Sequence, residues 1–203
     1  MIVIGFVGGF IRHDNFVHSG VQLAARIRRD YLSGVYVQVY ENRRVEQAHA
    51  QILKLLDTNR DGTLSRDEKQ KARIVIYGHS WGGSETIALA RELQRDGIPV
   101  LLTIQVDSVA KLGEDDAVIP ANVAEAANFY QASGLVHGRA EIRAADPSRT
   151  QILGNYRFDY SAKPVRCSGY PWYAVALESS HIAIECDPTV IHDVESLIRS
   201  KLP

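Results

Sequence analysis

The stretch Arg73-Ile74-Val75-Ile76-Tyr77-Gly78-His79-Ser80-Trp81-Gly82-Gly83 decides how the rest of the chain is read. A β-branched, apolar run stops at Gly78-His79-Ser80-Trp81-Gly82, which has the spacing G-x-S-x-G. The run before it reads as a buried strand, and Ser84 to Leu93 after it reads as a helix. A serine on so sharp a strand-to-helix turn must hold strained backbone, and flanking glycines remove side chains that would clash there. The hydroxyl is lifted clear of the sheet, and the following helix aims N-terminal N–H groups at the same spot. Glycine and serine also populate ordinary βα turns, so the spacing alone says little. The strand before and helix after make Ser80 the candidate nucleophile.

Working outward, the chain alternates strands and helices. Residues 2–7 read as a first strand, followed by a Gly8-Gly9-Phe10 loop through Arg12, His13 and Asp14. Val21, Ala24, Ala25, Arg28 and Tyr31 share a face of a helix over about 20–31. Val35 to Tyr40 reads as strand 2, and Val45, Ala48, Ile52, Leu55 and Leu56 stripe a second helix. The elbow strand is third. The helix at 84–95 ends at Asp96-Gly97, and Pro99 to Val106 forms strand 4, stopping at Asp107. Asn122 is read as the cap of a helix carrying Val123, Ala126, Ala127 and Tyr130. Arg139 to Ala144 reads as strand 5 and Tyr173 to Leu177 as strand 6, running into His181. A last helix carries Val190, Ile191, Val194, Leu197 and Ile198. The pattern predicts an α/β fold, a doubly wound and mostly parallel sheet of about six strands, spanning 1–203 as one domain.

Composition narrows the function classes. At 203 residues and 45% hydrophobic the chain has enough apolar volume for one α/β core. A net charge of −1 with both signs interspersed argues against a nucleic-acid partner or a polybasic membrane anchor. No apolar run approaches membrane-spanning length, so no integral membrane segment is expected. The apolar opening lacks a basic n-region and a cleavage site, and reads as a strand rather than a signal peptide. The compartment stays open, cytoplasmic by default and exported if a signal has been removed. Cys167 and Cys186 belong to no C-x-x-C motif; two separate buried thiols and a disulfide are both consistent with their spacing.

A serine hydroxyl needs a base to activate it and a carboxylate to hold that base's tautomer. Of seven histidines, His49 and His192 fall within helices and His79 within the elbow. His137 precedes strand 5, at the wrong end of the sheet. His13 and His18 follow strand 1 and could line a pocket. His181, between the last strand and the last helix, completes the order Ser, acid, His. For the acid, Asp107 ends strand 4 and Asp146 ends strand 5. Asp146-Pro147-Ser148 is also a good turn starter, so Asp107 is preferred. An oxyanion hole needs two fixed N–H groups. Trp81 supplies one, and the glycine turn after strand 1 the other, placed at Val7 by alignment with a His-Gly-x-Gly-Gly turn that this chain only partly matches.

Together the elbow, the glycine loop, the order Ser80–Asp107–His181 and the βα alternation resemble the α/β-hydrolase superfamily, in particular small lidless serine esterases and lipases. The likeness covers nearly the whole chain. It implies a minimal hydrolase fold with no cap domain and an esterase or lipase acting on small-molecule or lipid esters. A thioesterase, amidase or acyltransferase using the same triad would present the same residues. So would a non-catalytic calcium-dependent binding module on a hydrolase fold, although no triad member is missing.

A second motif lies between the second helix and the elbow strand. Asp57-Thr58-Asn59-Arg60-Asp61-Gly62-Thr63-Leu64-Ser65-Arg66-Asp67-Glu68 satisfies D-x-[DN]-x-[DN]-G-x₅-E at every specified position. Calcium takes six to eight oxygens on a tight loop. Asp57, Asn59, Asp61, the Thr63 carbonyl and Glu68 would supply them, Ser65 through a water, with Gly62 at the sharp turn and Leu64 packed beneath. The loop resembles a single EF-hand inserted at 57–68. With no second hand to pair with, a structural calcium is expected, some 15–20 Å or more from Ser80 along strand 3.

Overall fold

Strands β1 (Ile2–Val7) and β3 (Ile74–His79) are buried along almost their entire length, as strands covered on both faces of a parallel sheet must be. The computed structural model describes residues 1–133, 136–161, 165, 167–172 and 179–203. Around β1 and β3 the sheet grows outward through β2 (Tyr36–Glu41), β4 (Val100–Val106), β6 (Val123–Gln131) and β8 (Gln151–Phe158). Its order is β2-β1-β3-β4-β6-β8, and every neighbouring pair is parallel. A separate two-stranded sheet pairs β5 (Val118–Ile119) with β7 (Arg143–Ala144).

Alternation along the strands sorts their side chains into two cores. Val3, Val75, Leu102, Ile104 and Phe129 face helices α1 (Ser19–Asp30), α5 (Ser179–Cys186) and α6 (Pro188–Arg199). Ile2, Ile4, Ile74, Ile76 and Ala126 face α2 (Val45–Leu56) and α4 (Trp81–Arg95). Each fully buried aliphatic side chain contributes about 1.5–3 kcal/mol. The short α3 (Arg66–Gln70) leads into β3. No helix among the described residues is long and apolar enough to cross a membrane.

The second half of the chain departs from the expected order of elements. Residues 123–131, expected as a helix, are the strand β6. Ala124, Ala126 and Ala127 favour a helix locally, but the segment lies between β4 and β8 with six of its residues buried. Burial on both faces overrides propensity there. Of the strand expected over 139–144 only Arg143–Ala144 is extended, and it belongs to the small sheet. The sixth strand of the main sheet is β8, an edge strand of mixed apolar and polar residues, half of them exposed, with no long apolar run to read. The strand expected at Tyr173 to Leu177 lies outside the described residues. His181 sits inside the helix α5 rather than in a loop.

Candidate active site

Ser80 occupies the turn between β3 and α4 at φ 57° and ψ −129°, a strained conformation for a residue with a side chain. The glycines on either side make this possible by close backbone approach. A Cβ on Gly78 would fall 2.1 Å from the Gly82 carbonyl oxygen, and one on Gly82 2.3 Å from that of Phe6. The Ser80 N–H donates to Val106 and its carbonyl accepts from Gly83 and Val109. Trp81 is the first residue of α4, so its N–H has no partner within the helix.

Asp107 follows β4, the neighbour of the elbow strand, and is fully buried with a φ of 43°. Four donors converge on its carboxylate. Oδ1 accepts from the N–H of Gln131 at 3.1 Å and of Gly138 at 2.7 Å. Oδ2 accepts from Gln131 Nε2 at 2.8 Å and lies 2.6 Å from His181 Nδ1. Burial pushes this carboxyl upward, but the His181 and Gln131 bonds outweigh it and hold it below its usual value. A carboxylate accepts only, so His181 Nδ1 carries the proton and Nε2 is left unprotonated. The His181 ring lies 4.6 Å from the ring of His79, the residue before Ser80. The Ser80 hydroxyl makes no hydrogen bond among the described residues.

The glycine turn after β1 reaches the same place. A Cβ on Gly8 would lie 2.7 Å from Ser80 Cβ and 3.3 Å from its Oγ, so the turn backbone passes directly over the Ser80 side chain. Val7, the residue expected to donate, is the last residue of β1 and is paired with Glu41. The turn is braced from outside. Asn42 Nδ2 donates to the Gly9 carbonyl, and Lys111 Nζ donates to the Asn42 carbonyl at 2.8 Å while pairing with Glu85. Phe10 is 85% exposed and meets Trp81 edge-on at 5.8 Å, giving the site an aromatic rim.

Other expected positions fall elsewhere. Asp146 accepts from the Ser148 N–H and hydroxyl and starts the turn into β8, away from Ser80 and Asp107. His49 bonds Asp96 and His13 faces Glu41 at 3.6 Å. The segment holding His137 is not at the far end of the sheet, since the next residue, Gly138, donates to Asp107. His18 is buried against Glu185 rather than lining an open pocket. Tyr170 also turns inward, donating to Glu185 at 2.7 Å. Gln131, Gly138, His18 and Glu185 carry no motif, and only the fold brings them to this end of the sheet.

The 57–68 loop lies at the start of β3, at the opposite end of that strand from Ser80. Its acidic and amide oxygens fold onto the loop's own donors. Asp57 accepts from Asp61 and Gly62, Asn59 from Asp61, and Asp61 from Thr63. Gly62 takes a φ of 81° and Leu64 packs against the core under α2 and α4. Glu68 accepts from Thr58 and from Ser65, closing a capping box on α3. All five donor positions are oxygens, which suits a hard cation. Among the described residues no three His, Cys, Asp or Glu side chains come together to hold a metal ion.

Cys167 and Cys186 are joined by a disulfide, with Cα atoms 5.7 Å apart. Cys186 is the last residue of α5, so the bond ties down the helix that carries His181.

No protein-family model matches the sequence, and no curated protein does. Among solved structures, human thioesterase 2 superposes with a TM-score of 0.51 at 10% identity, covering 98% of this chain and 94% of that one. An iodinated complex of acetyl xylan esterase gives 0.43 at 13% identity, covering 100% and 98%. ClbQ from the colibactin NRPS/PKS pathway gives 0.45 at 11% identity, covering 98% of each. At this identity the likeness concerns the fold. The chain has an α/β-hydrolase-like fold, with a six-stranded parallel sheet flanked by helices.

Proposed function

We propose that the protein is a serine hydrolase that cleaves carboxylic esters or thioesters through Ser80, His181 and Asp107. The reading rests on one observation above all. A strained serine sits under a glycine turn at the end of β3, and the ring of the residue before it lies 4.6 Å from a buried histidine whose Nδ1 faces the carboxylate after β4.

In this mechanism His181 Nε2 takes the Ser80 proton as Oγ attacks the substrate carbonyl. Asp107 keeps the proton on Nδ1 and stabilises the imidazolium as it forms. The N–H of Trp81 and a second N–H from the Val7–Gly8 turn bind the developing oxyanion. His181 then passes the proton to the departing alcohol or thiol. Water, activated by the same base, hydrolyses the acyl-enzyme. Phe10 and Trp81 would contact the apolar part of a small-molecule or lipid acyl substrate. The fold shared with human thioesterase 2 agrees with this chemistry.

In the same reading Asp57, Asn59, Asp61, Thr63 and Glu68 would hold a structural calcium. It would neutralise the repulsion among Asp57, Asp61 and Glu68 and brace the approach to β3. No step of the hydrolysis passes through it.

The test is to compare turnover of matched oxygen and thiol esters, such as p-nitrophenyl butyrate and butyryl thiocholine, under identical conditions. Turnover of either supports the hydrolase. Inactivity on both, and on acetyl to octanoyl homologues, would count against it.

A further inference from the structure

Glu185 is a buried carboxylate that the proposed chemistry does not use. It stands four residues after His181 in α5, so the two share one face of that helix. Three separate segments meet it. His18, at the start of α1, places Nδ1 at 3.0 and 3.2 Å from its two oxygens. The Tyr170 hydroxyl donates to Oε2 at 2.7 Å. From the elbow, His79 Nδ1 lies 3.4 Å from Oε2 without hydrogen-bond geometry. The other nitrogen of His79 faces the carbonyl oxygen of His181 at 3.2 Å. Nε2 therefore carries the proton and donates to it.

The helix α5 has only two turns, and its buried residues run consecutively from His181 to Glu185 rather than in a stripe. A helix so short is marginal by itself, and a hydrophobic face without periodicity does not fix its rotation. Polar bonds do. His181 holds Asp107 on one turn, and Glu185 holds His18 and Tyr170 on the next. Burial favours the neutral acid at Glu185, yet the His18 and Tyr170 bonds oppose it, and the carboxyl is held below its usual value. Breaking one partner away from such a buried charge is strongly unfavourable. The anchor is accordingly stiff.

We infer that Glu185 is a positioning residue: anchored by His18 and Tyr170, it fixes the rotation of α5 and so the placement of the His181 ring against Ser80. This rests on the reading of His181 as the base for Ser80. A displacement near 1 Å at a reacting group can lower turnover by about 100-fold, while substrate binding at the rim is untouched.

The experiment compares Glu185→Gln, His18→Gln, the double variant and Tyr170→Phe. kcat and KM on a p-nitrophenyl ester are measured well below each melting temperature. The downfield Nδ1–H proton resonance of His181 is recorded on the same samples. Expected for Glu185→Gln and His18→Gln is a roughly 10- to 100-fold fall in kcat, with KM within about twofold. The double variant should fall no further than the worse single one, as members of one network do. Tyr170→Phe removes a single donor at a partly buried position, and carries the test should Glu185→Gln fail to fold. It should lower kcat by about 3- to 10-fold and shift the resonance.

Unchanged kcat with an unmoved resonance in folded Tyr170→Phe or Glu185→Gln would overturn the assignment, as would a raised KM at constant kcat. Full turnover by Ser80→Ala would instead remove the underlying hydrolase reading. The resonance, which needs no turnover, then decides the positioning role alone.

Discussion

His181 Nδ1 stands 2.6 Å from Asp107 Oδ2 across 74 residues of sequence, and both side chains are buried. Three further hydrogen bonds from Gln131 and Gly138 hold that carboxylate in place. These bonds fix the position of the carboxylate, and the histidine facing it keeps one tautomer.

The first prediction concerns that tautomer. Asp107→Asn retains the shape but reverses the hydrogen bond, so His181 would present the wrong nitrogen to Ser80. Turnover should fall by about 10³- to 10⁴-fold. Asp146→Asn, altering only a turn at the start of β8, should change it less than twofold. Steady-state kinetics on both variants decide between the two acids. The opposite ranking would move the role to Asp146.

The residues legible in sequence were those whose chemistry is local. The elbow announces itself through Gly78 and Gly82, because close backbone approach excludes every other side chain. Asp107 was legible as the residue that ends a strand, whereas the strand expected before His181 lies outside the described residues and His181 stands in a helix. The network around them was not, because Gln131, Gly138 and Glu185 matter only through contacts made in three dimensions. Strand β6 misled because alanine is a helix former wherever tertiary burial does not decide. Strand β8 misled because an edge strand of mixed apolar and polar residues carries no long apolar run. The sheet was therefore right in kind while two of its six strands were assigned elsewhere.

Acidification should weaken the fold in two stages. Burial pushes His79 down to about 4 from an unfolded value near 6.5. The unfolded chain therefore binds the extra proton first, and stability present above pH 6.5 is lost as pH falls toward 4, on the order of 3 kcal/mol. Glu185 is held at about 2 against an ordinary 4.5. Its contribution is complete above pH 4.5 and disappears between there and pH 2. Urea unfolding from pH 8 to 4 should show the upper decline, and His79→Asn should flatten it. A wild-type profile level down to pH 5 would contradict the assignment.

Reducing the Cys167–Cys186 bond should cost stability and activity together. A closed loop of this size stabilises by about 3 kcal/mol, so the melting temperature should drop by about 6–12 °C in a protein of this length. Because Cys186 ends α5, kcat should also fall below that reduced melting temperature. Scanning calorimetry and kinetics with and without a phosphine reductant measure both. Equal melting temperatures would show that the bond constrains nothing.

Calcium at 57–68 should act on stability and leave the chemistry alone. A ligand bound only by the native state stabilises by about 2.7 kcal/mol at a hundredfold excess over Kd. The melting temperature should rise several degrees with calcium and fall with chelator, a response abolished by Asp57→Ala or Glu68→Ala. At temperatures where the chelated protein is folded, kcat should not depend on calcium. A calcium-dependent kcat there would replace bracing with regulation.

The central claim is that Ser80 is the nucleophile, and covalent labelling tests it most directly. A fluorophosphonate should phosphonylate the protein once, with the added mass on the peptide containing Ser80. Ser80→Ala should take up no label and lose ester turnover while melting within a few degrees of wild type. Label found on another residue, or turnover surviving intact in Ser80→Ala, would contradict the account.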